Sequence, residues 1–166
     1  MNEVVNGRCI CFGDSVDTDV IIPGRYLVSI DPVELAQHAF EPLGKEVQTQ
    51  LKASEVVVAG KNFGCGSARE QAATCLIGAG IKAVVAKSFS RVFFRNSINT
   101  GLRAVECPEA AAIIKDGDEI SINFSLGEIK VNDQVYKFEP YPASLQKIID
   151  DGGLIKSLEK NAISNS

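Results

Sequence analysis

The sequence predicts an α/β fold, in which a short and mostly parallel sheet is flanked by helices and carries an antiparallel β-meander. Segments 55–60 and 82–87 are continuously apolar and β-branched, as strands buried on both faces of a parallel sheet are. A helical pattern over 68–79 lies between them, so the two strands should be parallel with a right-handed crossover. Apolar and polar residues alternate from 119 to 138, which is typical of antiparallel strands with one solvated face.

The first third of the chain is predicted to hold one strand, a turn and one helix. Residues 8–12 form a short apolar strand, and the acidic stretch 13–19 that follows is turn-like. Asp31 precedes a proline, which suits the N-cap and first position of a helix over 32–40. Residues 41–54 are polar and aperiodic, which predicts a loop or a weak helix.

The remaining elements follow in regular order. They are a helix over 88–101, a strand over 102–105, a helix over 108–114, the meander, a helix over 144–149 and one further turn at 154–158. The small and polar tail, 160–166, is predicted to be disordered. Residues 1–166 are expected to form a single domain, which suits this length.

Composition limits the classes of function. The chain is 45% hydrophobic and 23% charged, with a net charge of −4, which is ordinary for a soluble globular protein. A mildly acidic balance argues against nonspecific binding of nucleic acid or anionic membranes. No stretch reaches the roughly 18 apolar residues of a membrane span, and nothing at the start resembles a signal peptide. A cytoplasmic location is therefore expected.

The cysteines are Cys9, Cys11, Cys65, Cys75 and Cys107. Their odd number favours free thiols in a reducing compartment. Cys9 and Cys11 would share one face of a strand, but they lack Cys-x-x-Cys spacing, so buried thiols are favoured over a metal site. The sequence thus predicts no metal site and no set of cluster ligands on this chain.

The glycine-rich segment 60–73 carries the most specific chemistry. It follows a buried strand and opens a helix, where ligands gather in open α/β sheets and unpaired N–H groups suit an anion. Arg69 can grip a carboxylate bidentately, with Ser67 at the mouth of the site. Ser67 and Glu70 also match a capping box, so a purely structural role for Ser67 stays open. The segment matches no Walker A, nucleophile-elbow or dinucleotide motif.

Three motifs together resemble the small subunits of isopropylmalate isomerases and homoaconitases. They are residues 17–23, 62–72 and 87–97. Their order and spacing correspond to the swivelling last domain of aconitases, and the similarity spans about residues 8–140. The resemblance therefore implies a swivelling β/β/α domain of the aconitase type.

The resemblance implies catalytic roles for three residues. Ser67 matches the family's catalytic serine, an alkoxide base that takes the proton from the carbon next to a carboxylate. Arg69 matches the arginine that binds a substrate carboxylate, and Asp19 matches an aspartate that pairs with a histidine of the large subunit. A 4Fe–4S cluster is expected in that separate large subunit, so the chain alone should have negligible activity.

Four further residues are expected to bind substrate. By the same resemblance, Tyr26 and Val28 lie in the loop that reads the variable group of the substrate. Tricarboxylate-specific relatives carry arginine in place of Val28, and a valine would instead contact an alkyl group, with a discrimination of about 1–3 kcal/mol per methylene-sized difference. Arg25 nearby leaves this open. Gly66 and Ala68 complete the set, although many aconitases have a second serine in place of Ala68.

The resemblance implies a hydro-lyase that isomerises 2-isopropylmalate to 3-isopropylmalate, by dehydration and rehydration, in leucine biosynthesis. Its partners would be the large subunit and a small hydroxydicarboxylate, and self-association of the lone chain stays open. The alternatives are a dimethylmalate or citramalate-type dehydratase, a homoaconitase, or a noncatalytic anion-binding module. His38 is interpreted as structural. Arg91 and Arg95, on one helical face, either pair with acidic groups or face the large subunit.

Overall fold

The computed structural model describes residues 4–164. The strands are β1 (Val4–Cys11), β2 (Val56–Ala59), β3 (Ala83–Ala86), β4 (Arg103–Glu106), β5 (Glu119–Asn123), β6 (Glu128–Val131) and β7 (Gln134–Lys137). The α-helices are α1 (Thr18–Ile21), α2 (Pro32–Ala36), α3 (Lys45–Lys52), α4 (Glu70–Gly78), α5 (Arg91–Thr100), α6 (Pro108–Ile113), α7 (Ala143–Asp150) and α8 (Leu154–Ser164). Short 3-10 turns lie at Gly24–Tyr26 and Glu41–Leu43.

The seven strands of residues 4–164 belong to one sheet, in the order β4-β3-β2-β1-β5-β6-β7. Strands β1 to β4 are parallel, and β5 to β7 are antiparallel. β1 joins the two halves, because Cys9–Cys11 pairs in parallel with β2 while Val4–Arg8 pairs antiparallel with β5. The predicted parallel sheet and meander are therefore confirmed, and β1 begins four residues earlier than predicted.

Two hydrophobic cores lie on opposite faces of this sheet. Val57 of β2 contributes to the core that holds the buried faces of α2 and α4, and Val58 contributes to the core shared with the meander. Every residue of β2 and β3 is buried, which explains why both strands are continuously apolar in the sequence.

Two segments near the N-terminal half differ from the predictions. The helix predicted over 32–40 ends at Ala36, because the chain turns and Phe40 takes a left-handed conformation, with φ 56°. Segment 41–54, predicted as a loop or weak helix, contains a 3-10 turn and the regular helix α3. Leu51 is the buried residue of α3, so the helix leaves little apolar periodicity in the sequence.

The C-terminal helix is longer than predicted. α8 continues through Ser164, so the prediction of a disordered tail is wrong for residues 160–164. Residues 165 and 166 lie outside the described part of the chain. Ser157 is buried and Lys160 pairs with Asp151 of the preceding turn, which ties the helix down. Between residues 4 and 164 no helix combines the length and apolarity needed to span a membrane.

The carboxyl ends of β1, β2 and β3 meet at one edge of the sheet. The glycine loop, residues 60–69, follows β2 and is bonded to the loops on either side of it. The Lys61 N–H donates to Asp14 Oδ1 at 2.7 Å, and the Asn62 N–H donates to Ser88 Oγ at 2.8 Å. The loop is therefore fixed to both neighbouring connections.

Phe63 anchors the glycine loop in the core. Its fully buried ring lies edge-on to that of Phe93, with 5.0 Å between the ring centroids. The next residue, Gly64, has φ 81°, and a Cβ there would lie 2.4 Å from the Phe93 Cβ. Only glycine therefore fits this position without displacing α5.

We expect Gly64→Ala to lower the free energy of unfolding by about 2–4 kcal/mol, because left-handed strain and overpacking add. Gly117→Ala is the matched control, since Gly117 has φ 84° but no atom within 4 Å of its Cβ position. That change should cost only about 1–2 kcal/mol. Urea denaturation of the isolated chain measures both, and equal losses would contradict the packing argument.

Candidate functional site

The glycine loop lies against the acidic segment, residues 16–20, which contains the start of α1. The Gly64 N–H donates to the Val16 carbonyl at 2.8 Å, and the Thr18 N–H donates to the Cys65 carbonyl at 2.9 Å. The Thr18 side chain, only 2% exposed, donates its hydroxyl to the Ser67 carbonyl at 2.7 Å. The acidic segment thus fixes the backbone that carries Ser67.

Gly66 permits this close approach. Its φ is 88°, and a Cβ there would lie 2.4 Å from the Asp17 carboxylate. That carboxylate in turn caps α1 by accepting from the Asp19 N–H at 2.7 Å. Gly66 therefore serves both the turn and the packing, which is why no side chain is tolerated there.

Ser67 is not a helix cap. α4 begins at Glu70, and the N-cap position is occupied by Arg69 in an extended conformation, without a side-chain cap. The Ser67 side chain is exposed, and its hydroxyl bonds to no residue within 4–164. The capping-box alternative is therefore wrong, because the backbone around Ser67 is held by Thr18 outside the helix.

A run of free donors surrounds Ser67. The backbone N–H groups from Gly66 to Gln71 donate no hydrogen bond to any residue of the described chain. Ala68, like Gly66, is exposed. Unpaired N–H groups at a helix start create a positive potential that suits a carboxylate.

Arg69 is held in place by the acidic segment and the residues after it. Its Nη1 donates to the Asp19 carboxylate, and also to the Ile22 carbonyl at 3.1 Å. The Arg69 side chain is 13% exposed and that of Asp19 is 61% exposed. Arg69 Nη2 lies 3.4 Å from the Cβ position of Gly24. The structure thus brings Arg69 and Asp19 together, a contact that the separate motifs did not reveal.

The loop that carries Val28 projects into solvent. It starts at the Gly24–Tyr26 turn, and Leu27 packs against the core. Val28 is then 95% exposed, and the neighbouring Ile30 is also largely exposed. Val28 is therefore presented to solvent.

Sequence reasoning missed a polar cluster at Glu41. Its carboxylate accepts from Arg25 Nη2 at 2.5 Å and from the Tyr26 hydroxyl at 2.6 Å, and it lies 2.8 Å from His38 Nδ1. The Tyr26 hydroxyl above all, then His38 and Arg25, lower the pKa of Glu41 to about 2. His38 thus contacts a carboxylate of its own chain. In the sequence, the three-residue spacing between His38 and Glu41 is the pattern that could have indicated this cluster.

Arg91 and Arg95 lie on an exposed face of α5. Within residues 4–164 neither forms an ion pair. They line an open cavity of about 450 Å³ with apolar and acidic neighbours, which are Phe89, Phe94, Ile98 and Glu106. The alternative in which these arginines pair with acidic groups of their own chain is therefore not seen in the described residues.

The described residues contain no group of three or more His, Cys, Asp or Glu side chains that could hold a metal ion. The five cysteines are free thiols. Burial raises the pKa of Cys9 to about 12 and that of Cys11 to about 11. These two thiols are consequently protonated at neutral pH and pack as small apolar groups.

Comparisons with known proteins identify the family to which the chain is similar. Residues 40–110 match the family of the aconitase C-terminal domain. A 3-isopropylmalate dehydratase small subunit from Sulfurisphaera tokodaii is 48% identical over 98% of this chain and 97% of its own length. Another, from Archaeoglobus fulgidus, is 49% identical over 94% of this chain and 99% of its own.

A solved structure confirms the predicted aconitase-type fold. The crystal structure of a 3-isopropylmalate dehydratase chain from Methanocaldococcus jannaschii superposes with a TM-score of 0.90 and 42% identity. The match covers 98% of this chain and 97% of the other. The resemblance inferred from the three motifs is therefore confirmed, and the chain belongs to the family of 3-isopropylmalate dehydratase small subunits.

Proposed function

We propose that this chain is the small subunit of a hydro-lyase that interconverts 2-isopropylmalate and 3-isopropylmalate, by dehydration and rehydration, in leucine biosynthesis. The observation that carries the proposal is the exposed Ser67 hydroxyl, set among unpaired N–H groups beside Arg69. The protein acts in the cytoplasm, residues 1–166 form one swivelling domain, and a large subunit completes the active site.

Ser67 acts as the base that removes the proton from the carbon next to a substrate carboxylate. A serine hydroxyl is a weak base unless positive potential stabilises its alkoxide. The free N–H groups from Gly66 to Gln71 supply that potential, and they also stabilise negative charge that develops on the carboxylate. The hydroxyl is available, because it bonds to no residue within 4–164.

Arg69 binds the carboxylate whose neighbouring carbon loses the proton. Its Nη1 makes both contacts described above, to Asp19 and to the Ile22 carbonyl. Its Nε and Nη2 make no hydrogen bond with residues 4–164, so one side of the guanidinium is free for a bidentate interaction. Asp19 orients the guanidinium, and its exposed carboxylate can also meet a histidine of the large subunit.

The other half of the site lies on the large subunit. A 4Fe–4S cluster held there supplies a Lewis acid that activates the leaving hydroxyl group. Ser67, Asp19 and Val28 are all exposed on this chain, which supports a site that a second polypeptide covers. Excluding water in this way strengthens the electrostatic contacts of Ser67 and Arg69 with substrate.

Val28 contacts the variable group of the substrate. A fully exposed valine can bury an alkyl group but cannot pair with a third carboxylate. The guanidinium of Arg25, the nearest cation in the loop, is engaged by Glu41 and lies over the Tyr26 ring. This favours an alkyl-substituted malate over homoaconitate, with isopropylmalate preferred and dimethylmalate as the alternative.

We expect Ser67→Ala to lower kcat/KM of the complex with the large subunit by about 10²- to 10⁴-fold, the usual contribution of a general base. Ser125→Ala, at another exposed serine, is the control and should leave turnover unchanged. Anaerobic assays with isopropylmalate measure this, and size-exclusion chromatography verifies assembly. Full activity of Ser67→Ala would instead support the noncatalytic anion-binding module.

We expect Val28→Arg to lower kcat/KM for isopropylmalate by about 10- to 100-fold, because a charged group replaces an apolar contact. Turnover of homoaconitate should rise in the same variant. Ile30→Arg adds the same charge at the next exposed apolar position and should leave the preference nearly unchanged. A panel of isopropylmalate, dimethylmalate and homoaconitate tests this, and robust homoaconitate turnover by the unmodified protein would overturn the role of Val28.

A further inference from the structure

Glu41 holds both polar side chains of the turn that precedes Val28. One carboxylate oxygen, Oε1, accepts from Arg25 Nη2 and from the Tyr26 hydroxyl, and the other lies against His38 Nδ1. Three side chains therefore contact this one carboxylate, next to the turn at which the Val28 loop begins.

The Tyr26 ring reinforces this arrangement through contacts with two of these side chains. The His38 ring stacks on Tyr26 with 3.6 Å between centroids and an interplanar angle of 6°. The Arg25 guanidinium lies 4.7 Å from the same ring centroid. A planar guanidinium over an aromatic ring gains cation–π attraction in addition to its ion pair. The Arg25 side chain is thus folded back toward the protein, although it is 65% exposed.

Backbone contacts tie this cluster to the carboxylate-binding arginine. Phe40 is buried in a left-handed conformation, and its N–H donates to the Ile21 carbonyl at 2.9 Å. The next carbonyl, of Ile22, accepts from Arg69. The turn that follows Phe40 places Glu41 beside the loop, so Glu41 and Arg69 are fixed to the same short stretch of backbone.

Arg25 and Val28 are three residues apart in a turn that continues past Tyr26. The Leu27 N–H donates to the Gly24 carbonyl, and the Ser29 N–H donates to the Tyr26 carbonyl. Residues three apart lie on the same side of a 3-10 turn. Arg25 lies within the 3-10 turn and Val28 lies two residues past its end, so a guanidinium released from Glu41 could reach a charged group near Val28.

We propose that Glu41 is a specificity-determining positioning residue, which holds the Arg25 guanidinium on Tyr26 so that the loop presents only Val28 to the variable group of the substrate. This rests on the function proposed above. Glu41 acts through Arg25 and does not touch substrate. Without it, the loop would present a cation and an alkyl group together, and a malate with a third carboxylate would be accepted.

The test is Glu41→Gln in the complex with the large subunit, a change that keeps the shape of the side chain but removes its charge. The ratio of kcat/KM for isopropylmalate to kcat/KM for homoaconitate should fall about tenfold, equivalent to about 1.4 kcal/mol. The kcat for isopropylmalate should stay within about threefold, because the Ser67 and Arg69 chemistry is untouched.

Glu128→Gln is the matched control. Glu128 also pairs with a cation on the surface, Lys137, and its pKa is likewise lowered, chiefly by that lysine. It lies on β6, away from the loop, so its variant should keep the substrate ratio of the unmodified protein. If Glu41→Gln behaves like Glu128→Gln, the proposal is overturned.

Two changes at Arg25 identify the cause. Arg25→Met combined with Glu41→Gln should restore discrimination against homoaconitate, and a ratio that stays low would refute the role of the guanidinium. Arg25→Lys alone should lower the ratio, since lysine loses the planar stacking, and it tests the proposal independently of the folding of the Glu41 variant. The proposed function itself would be refuted by either of two results. One is that the complex with the unmodified chain does not turn over isopropylmalate, and the other is that the complex with Ser67→Ala stays active.

Discussion

The close approach of the acidic segment to the glycine loop is the constraint on which the site depends. The buried Thr18 hydroxyl bonds to the Ser67 carbonyl, and Gly66 lies too near the Asp17 carboxylate to carry a side chain. This contact holds the loop outside helix α4, so the N–H groups ahead of the helix find no acceptor within residues 4–164. The same approach brings Asp19 to Arg69, so one backbone arrangement positions both Ser67, the proposed base, and the arginine beside it.

The site divides into a fixed part and an open part. Arg69 is mostly shielded and bonded twice, whereas the Ser67 hydroxyl and the Val28 side chain contact solvent. A cation oriented in advance needs little reorganisation when charge develops, so holding it within one chain is advantageous. A hydroxyl and an alkyl contact acquire their strength only when water is excluded. Under the proposed function, this is the physical reason to hold the arginine rigidly within this chain and to leave closure of the site to the large subunit.

Local sequence patterns predicted the elements that their own residues determine. They failed at helix boundaries that residues distant in the sequence determine. Strands β2 and β3 were predicted because burial on both faces leaves continuous apolar runs, and the crossover rule then made them parallel. Ser67 and Glu70 imitate a capping box, but a hydrogen bond from Thr18, 49 residues earlier, sets the helix start instead. The helix predicted over 32–40 stops early for a similar reason, since Phe40 is held by stacking on Phe12.

Two arginine–carboxylate pairs, Arg69 with Asp19 and Arg25 with Glu41, have different surroundings, which explain why they are held differently. Arg69 is shielded from water, so one carboxylate and one carbonyl suffice to hold it. Arg25 is largely exposed, where an isolated ion pair contributes little because water and salt screen it. Its position must therefore come from several weak contacts acting together, namely the ring of Tyr26 and a carboxylate that is itself fixed by Tyr26 and His38. An exposed guanidinium thus needs a network of contacts to hold its position, whereas a shielded guanidinium needs only one carboxylate and one carbonyl.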